Sequence, residues 1–333
     1  MRAQRYLPIA LVTGGLALLP LVVTSNFLLN FLILTLLFAL LGQAWNILGG
    51  FAGQFSFGHA VFFGSGAYAT ATLQIHLGVN PWVAMVLALA VGGLVGAMIG
   101  ALSFRFRLRG SYFALITLAF AEVFRIIAHT ADFTGGGSGI LIPLDLRPAN
   151  LQFEDKAGFY YLVLALTAGS LVITRALQDS RLGAWMLAIR ENEDSARALG
   201  IDSFRVKLVA ITLSGAMAAA AGVFYAQYFL YLDPGIAYGV GYSVEALLVP
   251  IIGGMGTVFG PLIGSFVLHG VDEATRGLTG DAPGLNLALY GALLIVMLRF
   301  LPAGLMGLAA QVKGIGHQRR TRQAHRLKEA GDA

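Results

Sequence analysis

A chain of 333 residues that is 57% hydrophobic and 12% charged is not an ordinary soluble protein, since soluble domains carry about 25% charged residues. It contains no cysteine, which excludes disulfides, thiolate metal sites and cysteine nucleophiles. The net charge of +5 reads as membrane topology and not as affinity for nucleic acid.

Crossing a hydrocarbon core takes about 20 apolar residues. Arg2 and Arg5 precede a first apolar run, Leu7–Val23, with no small-x-small cleavage site after it, so it reads as a retained span. Further spans are expected at Phe27–Leu48, Phe51–Gln74, Val83–Phe104, Tyr112–Ala128, Phe159–Leu177, Leu208–Leu230 and Leu285–Leu308. Val244–Leu268 is also apolar, but is broken at Pro250, Gly253, Gly254, Gly256 and Pro261.

Lysine and arginine placement sets the orientation. With the N-terminus inside, Arg2 and Arg5, the Arg105–Arg109 loop, the Arg175–Lys207 segment and everything from Arg299 onward face the cytoplasm. Arg147, Lys156 and Arg276 fall outside, and Arg125 lies in a span. An outer Asp272–Asp281 loop and a basic inner tail then require Val244–Leu268 to enter and return on one side, as a re-entrant hairpin of two half-helices. The expected fold is an all-α integral membrane bundle of about 8–10 spans with glycine-broken or re-entrant segments, both termini cytoplasmic.

The stretch Arg181–Gly200 stands apart. Leu182, Trp185, Met186, Ile189, Ala196 and Leu199 fall near the spacing of one helical face, interrupted by polar Arg190–Asp194. Such a helix cannot cross a bilayer, because each central charge costs roughly 2.5–3.5 kcal/mol. It is expected to lie in the cytoplasm and to bury its apolar stripe on something.

Two glycine-broken segments echo each other: Ile47-Leu48-Gly49-Gly50-Phe51-Ala52-Gly53 before Phe57-Gly58, and Ile251-Ile252-Gly253-Gly254-Met255-Gly256 before Phe259-Gly260. Paired breaks of this kind free backbone groups that can line a solute route; the same glycines also permit close helix packing. The candidate route is Gln43, Asn46, Gly50, Gly53, Gln54, Ser56 and His59 with Gly253, Gly254 and Gly256. Glu122 and Arg125, three apart on one helix, are expected to form a structural ion pair.

Several chemistries are missing. None of the lysines, at 156, 207, 313 and 328, follows a glycine, so no phosphate-binding loop exists. The Gly135–Gly139 run lacks a preceding strand and is no dinucleotide fingerprint. The histidines, at 59, 76, 129, 269, 317 and 325, form no metal-ligand constellation, and no cofactor is expected. Carboxylates within the spans, through which an ion gradient could act, are scarce (Glu122, and Glu245 near a boundary), so the energy source is expected to be another subunit.

Taken together, these residues resemble the permeases of branched-chain amino-acid ABC importers, on the LivM side of the LivH/LivM pair. The resemblance runs through Trp45–His59, Arg107–Ala114, Thr117–Glu122, Thr134–Gly136 with Gly139, Ile189–Glu193 through Gly200, and Ile252–Gly256 with Gly260-Pro261. Asp194-Ser195-Ala196 with Gly200 is similar to the wider Glu-Ala-Ala…Gly importer pattern, with conservative departures at its first two positions. The resemblance implies a permease domain over 1–312, with a cytoplasmic coupling loop 178–206 and a periplasmic loop 129–158, and a basic cytoplasmic tail over 313–333. It implies a multi-pass protein of the bacterial inner membrane without enzymatic activity of its own. The implied partners are a second homologous permease, two cytoplasmic ATPase subunits and a periplasmic solute-binding protein, the last meeting the charged loop around Asp132, Asp145, Arg147, Glu154, Asp155 and Lys156. Coupling to the ATPases would rest on Arg190, Glu191, Asn192, Glu193, Asp194, Ala196 and Gly200. Membrane lipid is the expected neighbour of the basic tail. Two other readings stay open: a permease for urea or short-chain amides, and an ion-driven transporter acting alone.

Overall fold

Glycine and proline mark where the helices start and stop. The structure, a computed structural model, describes residues 2–23, 25–279, 283–300 and 304–308. Helix α1 (Arg2–Val22) is followed by α2 (Asn26–Trp45), whose last turn widens into a π-helix over Asn46–Phe51. After an irregular stretch comes α3 (His59–Leu77), ended by Gly78 in the left-handed region, φ 61°. Asn80 accepts from the Trp82 N–H to cap α4 (Pro81–Arg105), with Pro81 in the first turn where no N–H is needed. Helices α5 (Ser111–Thr130) and α6 (Lys156–Gln178) enclose the long loop. Two short helices, α7 (Arg181–Glu191) and α8 (Glu193–Ala198), lead into α9 (Ser203–Phe229). A short α10 (Pro234–Ala237), then α11 (Val240–Gly253), α12 (Gly260–Thr279) and α13 (Pro283–Phe300) complete the order.

Among the described residues, seven helices are long and apolar enough to cross a membrane: 4–22, 26–51, 81–105, 111–130, 156–178, 203–229 and 234–253. One end of the bundle carries α7, α8 and the Arg105–Arg109 turn and is called here the charged end. At the opposite end, β1 (Ile140–Leu141) pairs antiparallel with β2 (Tyr231–Leu232), tying the long loop to the end of α9.

The chain departs from its sequence reading in three places. Phe51–Gln74 is not one span, because residues 52–58 are irregular and helix resumes at His59. Arg181–Gly200 is two helices, divided at Asn192, whose backbone is extended (φ −158°, ψ 108°) so that its side chain can cap α8. The expected Asp272–Asp281 loop is mostly helix: α12 runs to Thr279, and Asp272 pairs with Arg276 one turn on at 3.0 Å. The basic tail 313–333 lies outside the described residues.

Helix α9 is the hub, buried along most of its length against α3 and α4. The approach depends on missing side chains, as small-residue seams in membranes do. A Cβ at Gly222 would lie 1.9 Å from the Phe63 carbonyl oxygen, and one at Gly92 2.4 Å from Ala219 Cβ. Overpacking of this sort costs about 1–3 kcal/mol per site. Gly222→Leu and Gly92→Leu should each lower the melting temperature of the detergent-solubilised protein by several degrees. Gly169→Leu, at a position with nothing within 4 Å, should leave it unchanged.

Candidate functional site

Trp45 sets the shape of the first break. Its ring lies over Gly49, where a Cβ would sit 2.2 Å from the indole, and its Nε1–H donates to the Ser56 carbonyl at 2.8 Å. The chain therefore leaves the π-turn and runs back beside the helix it came from, with the Gln54 N–H on the Leu48 carbonyl at 3.0 Å. Helix α3 then begins inside the bundle. An interior helix start exposes N–H groups that cost several kcal/mol if left bare in a water-poor setting. Here side chains meet them: Phe57 N–H donates to Thr117 Oγ1 (3.1 Å), Gly58 N–H to Ser56 Oγ (3.2 Å) and Ala60 N–H to Ser243 Oγ (2.8 Å).

His59 belongs to the same arrangement and is fully buried. Ser214 Oγ donates to the Ala44 carbonyl at 2.7 Å, so it receives the His59 Nε2–H at 2.8 Å. Ser56 Oγ, already accepting from Gly58, gives its proton to Nδ1 at 3.2 Å. This chain of bonds assigns the imidazole proton to Nε2. Every ring nitrogen has a partner within the protein.

The second break meets the first. Gly254 (φ 125°) and Gly256 (φ 73°) hold backbone conformations that side chains disfavour. Thr257 Oγ1 donates to the Gly254 carbonyl at 2.8 Å and accepts from the Gly260 N–H at 3.0 Å, closing the turn between α11 and α12. A Cβ at Gly253 would lie 1.7 Å from the Gly260 carbonyl oxygen. Asn46, at the start of the π-turn, then clasps this turn: its Nδ2 donates to the Thr257 carbonyl (2.9 Å) and its Oδ1 accepts from the Gly256 N–H (2.8 Å). Gln43 adds Nε2–H to the Val258 carbonyl at 3.2 Å, while its Oε1 and that of Gln54 are buried with no partner among the described residues. Gly50 faces Gly256, where a Cβ would lie 2.6 Å from the Gly256 nitrogen. The two glycine-broken segments are thus one junction, and all ten residues of the candidate route lie in or beside it.

Arg190 joins the charged hairpin to that junction. Its Nη1–H donates to the Gly50 carbonyl at 2.7 Å, and its aliphatic stem lies against Gly53. Its Nη2 pairs with exposed Glu191 at 3.0 Å. A cavity of about 370 Å³ opens beside it, lined by Gly49, Gly50, Gly53, Phe55, Arg190, Ile251 and Met255. Of the expected apolar stripe, Met186, Ile189 and Ala196 are buried, whereas Trp185 and Leu199 are exposed. Gly200, φ 85°, ends α8: its N–H bonds the Arg197 carbonyl and the Ile201 N–H the Ala196 carbonyl, as in a Schellman cap.

Glu193 anchors the hairpin. Its side chain, 9% exposed, meets Lys207 Nζ at 2.7 Å, Arg197 Nη2 at 2.6 Å and Arg109 Nε at 3.1 Å. Burial pushes its carboxyl up, but the hydrogen bonds from Lys207 and Ser203 and the charges of Lys207 and Arg109 outweigh it and hold the carboxyl below the ordinary range. Exposed Asp194 is also held low, first by its hydrogen bond from Arg109. Lys207 and Arg109 were not singled out as partners because they lie fourteen residues after and eighty-four before Glu193. Lys207 carries a signal that could have found it: a lysine at the start of an apolar span needs a counter-ion.

Replacing one member of a buried ionic cluster costs about 3–5 kcal/mol, because the others are left unpaired. Glu193→Gln should therefore loosen the α7–α8 hairpin, seen as faster amide exchange over 181–207. In the unaltered protein, a folded carboxyl below its unfolded value stabilises above pH 4.5 and loses that contribution as pH falls through the folded value. Exchange over the hairpin should accelerate in that acid window.

A sequence profile described as branched-chain amino acid transport system, permease component, matches residues 27–298. The Escherichia coli high-affinity branched-chain amino acid transport system permease protein LivM is 31% identical over 301 residues, covering 82% of this chain and 68% of that protein. A probable LivM permease of Methanocaldococcus jannaschii is 24% identical over 72% of this chain and 74% of its own. The Salmonella typhimurium permease LivH is 25% identical, over 81% of this chain and 91% of its own. No solved structure matches. A profile match over most of an all-helical, multi-pass chain places this protein in the family of branched-chain amino acid transport permeases.

Proposed function

We propose that this chain is the permease subunit of an ABC importer for branched-chain amino acids in the bacterial inner membrane, with both termini cytoplasmic. In this reading it pairs with a second permease, two cytoplasmic ATPase subunits drive it, and a periplasmic binding protein delivers the solute. The observation that carries it is the Arg190 bond to the Gly50 carbonyl. That bond ties the charged hairpin to the junction where both broken segments meet, so a push on the hairpin reaches the helix breaks directly. Residues 1–312 form the permease domain, with the coupling loop 178–206 at the cytoplasmic end and the loop 129–158 at the periplasmic end.

The residues proposed for coupling divide by what they touch. Arg190 transmits, Glu193 and Ala196 hold the hairpin to the bundle, and Asn192 and Gly200 shape it. Glu191 and Asp194, 69% and 74% exposed, are left to face an ATPase together with Trp185 and Leu199. The route residues Gln43, Asn46, Gly50, Gly53, Gln54, Ser56 and His59, with Gly253, Gly254 and Gly256, form the closed junction that must open for passage.

The test is a Trp185→Ala/Glu191→Lys double variant, which leaves the Glu193 cluster intact. It should insert and melt as the parent does, yet lose ATPase-subunit affinity on the order of tenfold, about 1.4 kcal/mol, and lose ATP-driven uptake in proteoliposomes. Undiminished uptake would reject the docking role. Uptake by this chain alone, without ATPase subunits, would reject the importer reading.

A further inference from the structure

Glu122 and Arg125 form the pair their spacing predicts: Arg125 Nε donates to Glu122 Oε2 at 2.9 Å and Nη2 to Oε1 at 2.5 Å. The pair does not point into the bundle. The buried face of α5 is Phe113, Ala114, Thr117, Ala121 and Ala128, whereas the Glu122 and Arg125 side chains are 49% and 36% exposed. Glu122 sits near the middle of α5, about 12 Å from its nearer end at a rise of 1.5 Å per residue. At such depth, ionised side chains face protein or a water-filled cavity, not lipid.

The outer face of α4 is the comparison: Val83, Val86, Leu87, Ala90, Leu94, Met98 and Leu102 are exposed and all apolar, the pattern suited to lipid. The outer face of α5 is equally apolar at Leu115, Val123, Ile126 and Ile127, and differs in carrying a charge at its centre, Glu122, beside exposed Ala119. None of the described helices covers it.

We propose that this face of α5 borders a water-filled vestibule that leads to the closed junction and is bounded on its far side by the second permease subunit, and that Glu122 and Arg125 receive the ammonium and carboxylate of a zwitterionic amino acid before it reaches the junction. The proposal rests on the permease reading above. An i,i+3 pair opens by side-chain rotation, and a zwitterion returns an opposite charge to each group, so no net charge enters the vestibule. A simple anion or cation would leave one partner unpaired. The ion pair is therefore a receiving site whose resting state is its own two side chains.

Because the chain has no cysteine, an introduced cysteine is its single thiol, and labelling is read on this subunit alone. In the assembled complex in vesicles, Ala119→Cys should react with a membrane-impermeant methanethiosulfonate reagent on the order of tenfold faster than Leu94→Cys on α4, and leucine delivered by the binding protein should slow the reaction. Glu122→Gln should raise the KM for leucine uptake by a similar factor, while Glu122→Asp should restore it. Ala119→Cys as inert as Leu94→Cys would overturn the vestibule, and an unchanged KM in Glu122→Gln would overturn the zwitterion site. Capture of the ATPase subunits and ATP hydrolysis, measured in the same preparation, separate the two readings. An assembled, hydrolysing complex with an inert Ala119→Cys rejects this face alone, whereas failure to capture any ATPase rejects the importer reading.

Discussion

Backbone N–H and C=O groups away from water must be bonded, at a cost of several kcal/mol for each that is not. A continuous helix meets this by itself; a broken one cannot. Both breaks here survive because other elements supply the missing partners. Thr117 of α5, Ser243 of α11 and Ser56 serve the start of α3, and Asn46 of the π-turn serves the turn after α11. Each break is therefore stable only when its neighbours are in place, which is why the two segments converge although some 200 residues separate them in the chain.

The charged end shows the same logic with ions. Exposed pairs such as Arg205–Asp202 contribute about 0–1 kcal/mol. Glu193 differs, since three cations meet one shielded carboxylate and Lys207 is withdrawn over the Phe104 ring. That cluster fixes the hairpin on the bundle, and exposed Asp194 shares one of its cations, Arg109, at 3.0 Å. Adjacent acidic residues, Glu193 and Asp194, thus meet different surroundings: one is covered by three cations and the other faces outward.

Much of this was legible in the sequence. Apolar run length placed α2, α4, α5, α6 and α9 within a few residues, and the Gly and Pro clusters located both breaks. Period and composition could not show that Gly50 and Gly256 touch, because that contact depends on how α2 and the α11–α12 turn pack. The π-turn was likewise invisible, being set by Trp45 folding over Gly49. The regular apolar spacing around Asn192 favoured one helix; in the fold Asn192 is extended and caps α8, and Glu193, the next residue, meets Lys207. For Glu122 and Arg125, spacing gave the bond but not the direction it faces.

Gly50 and Gly256 approach main chain to main chain, with no side chain between them. The charged hairpin reaches that contact differently, through the Arg190 side chain, whose Nη1–H bonds the Gly50 carbonyl. A long side chain absorbs small displacements by changing rotamer, whereas two abutting backbones do not. Slack in this linkage therefore lies in one arginine, upstream of the point where the two broken segments meet, and the meeting point itself has none.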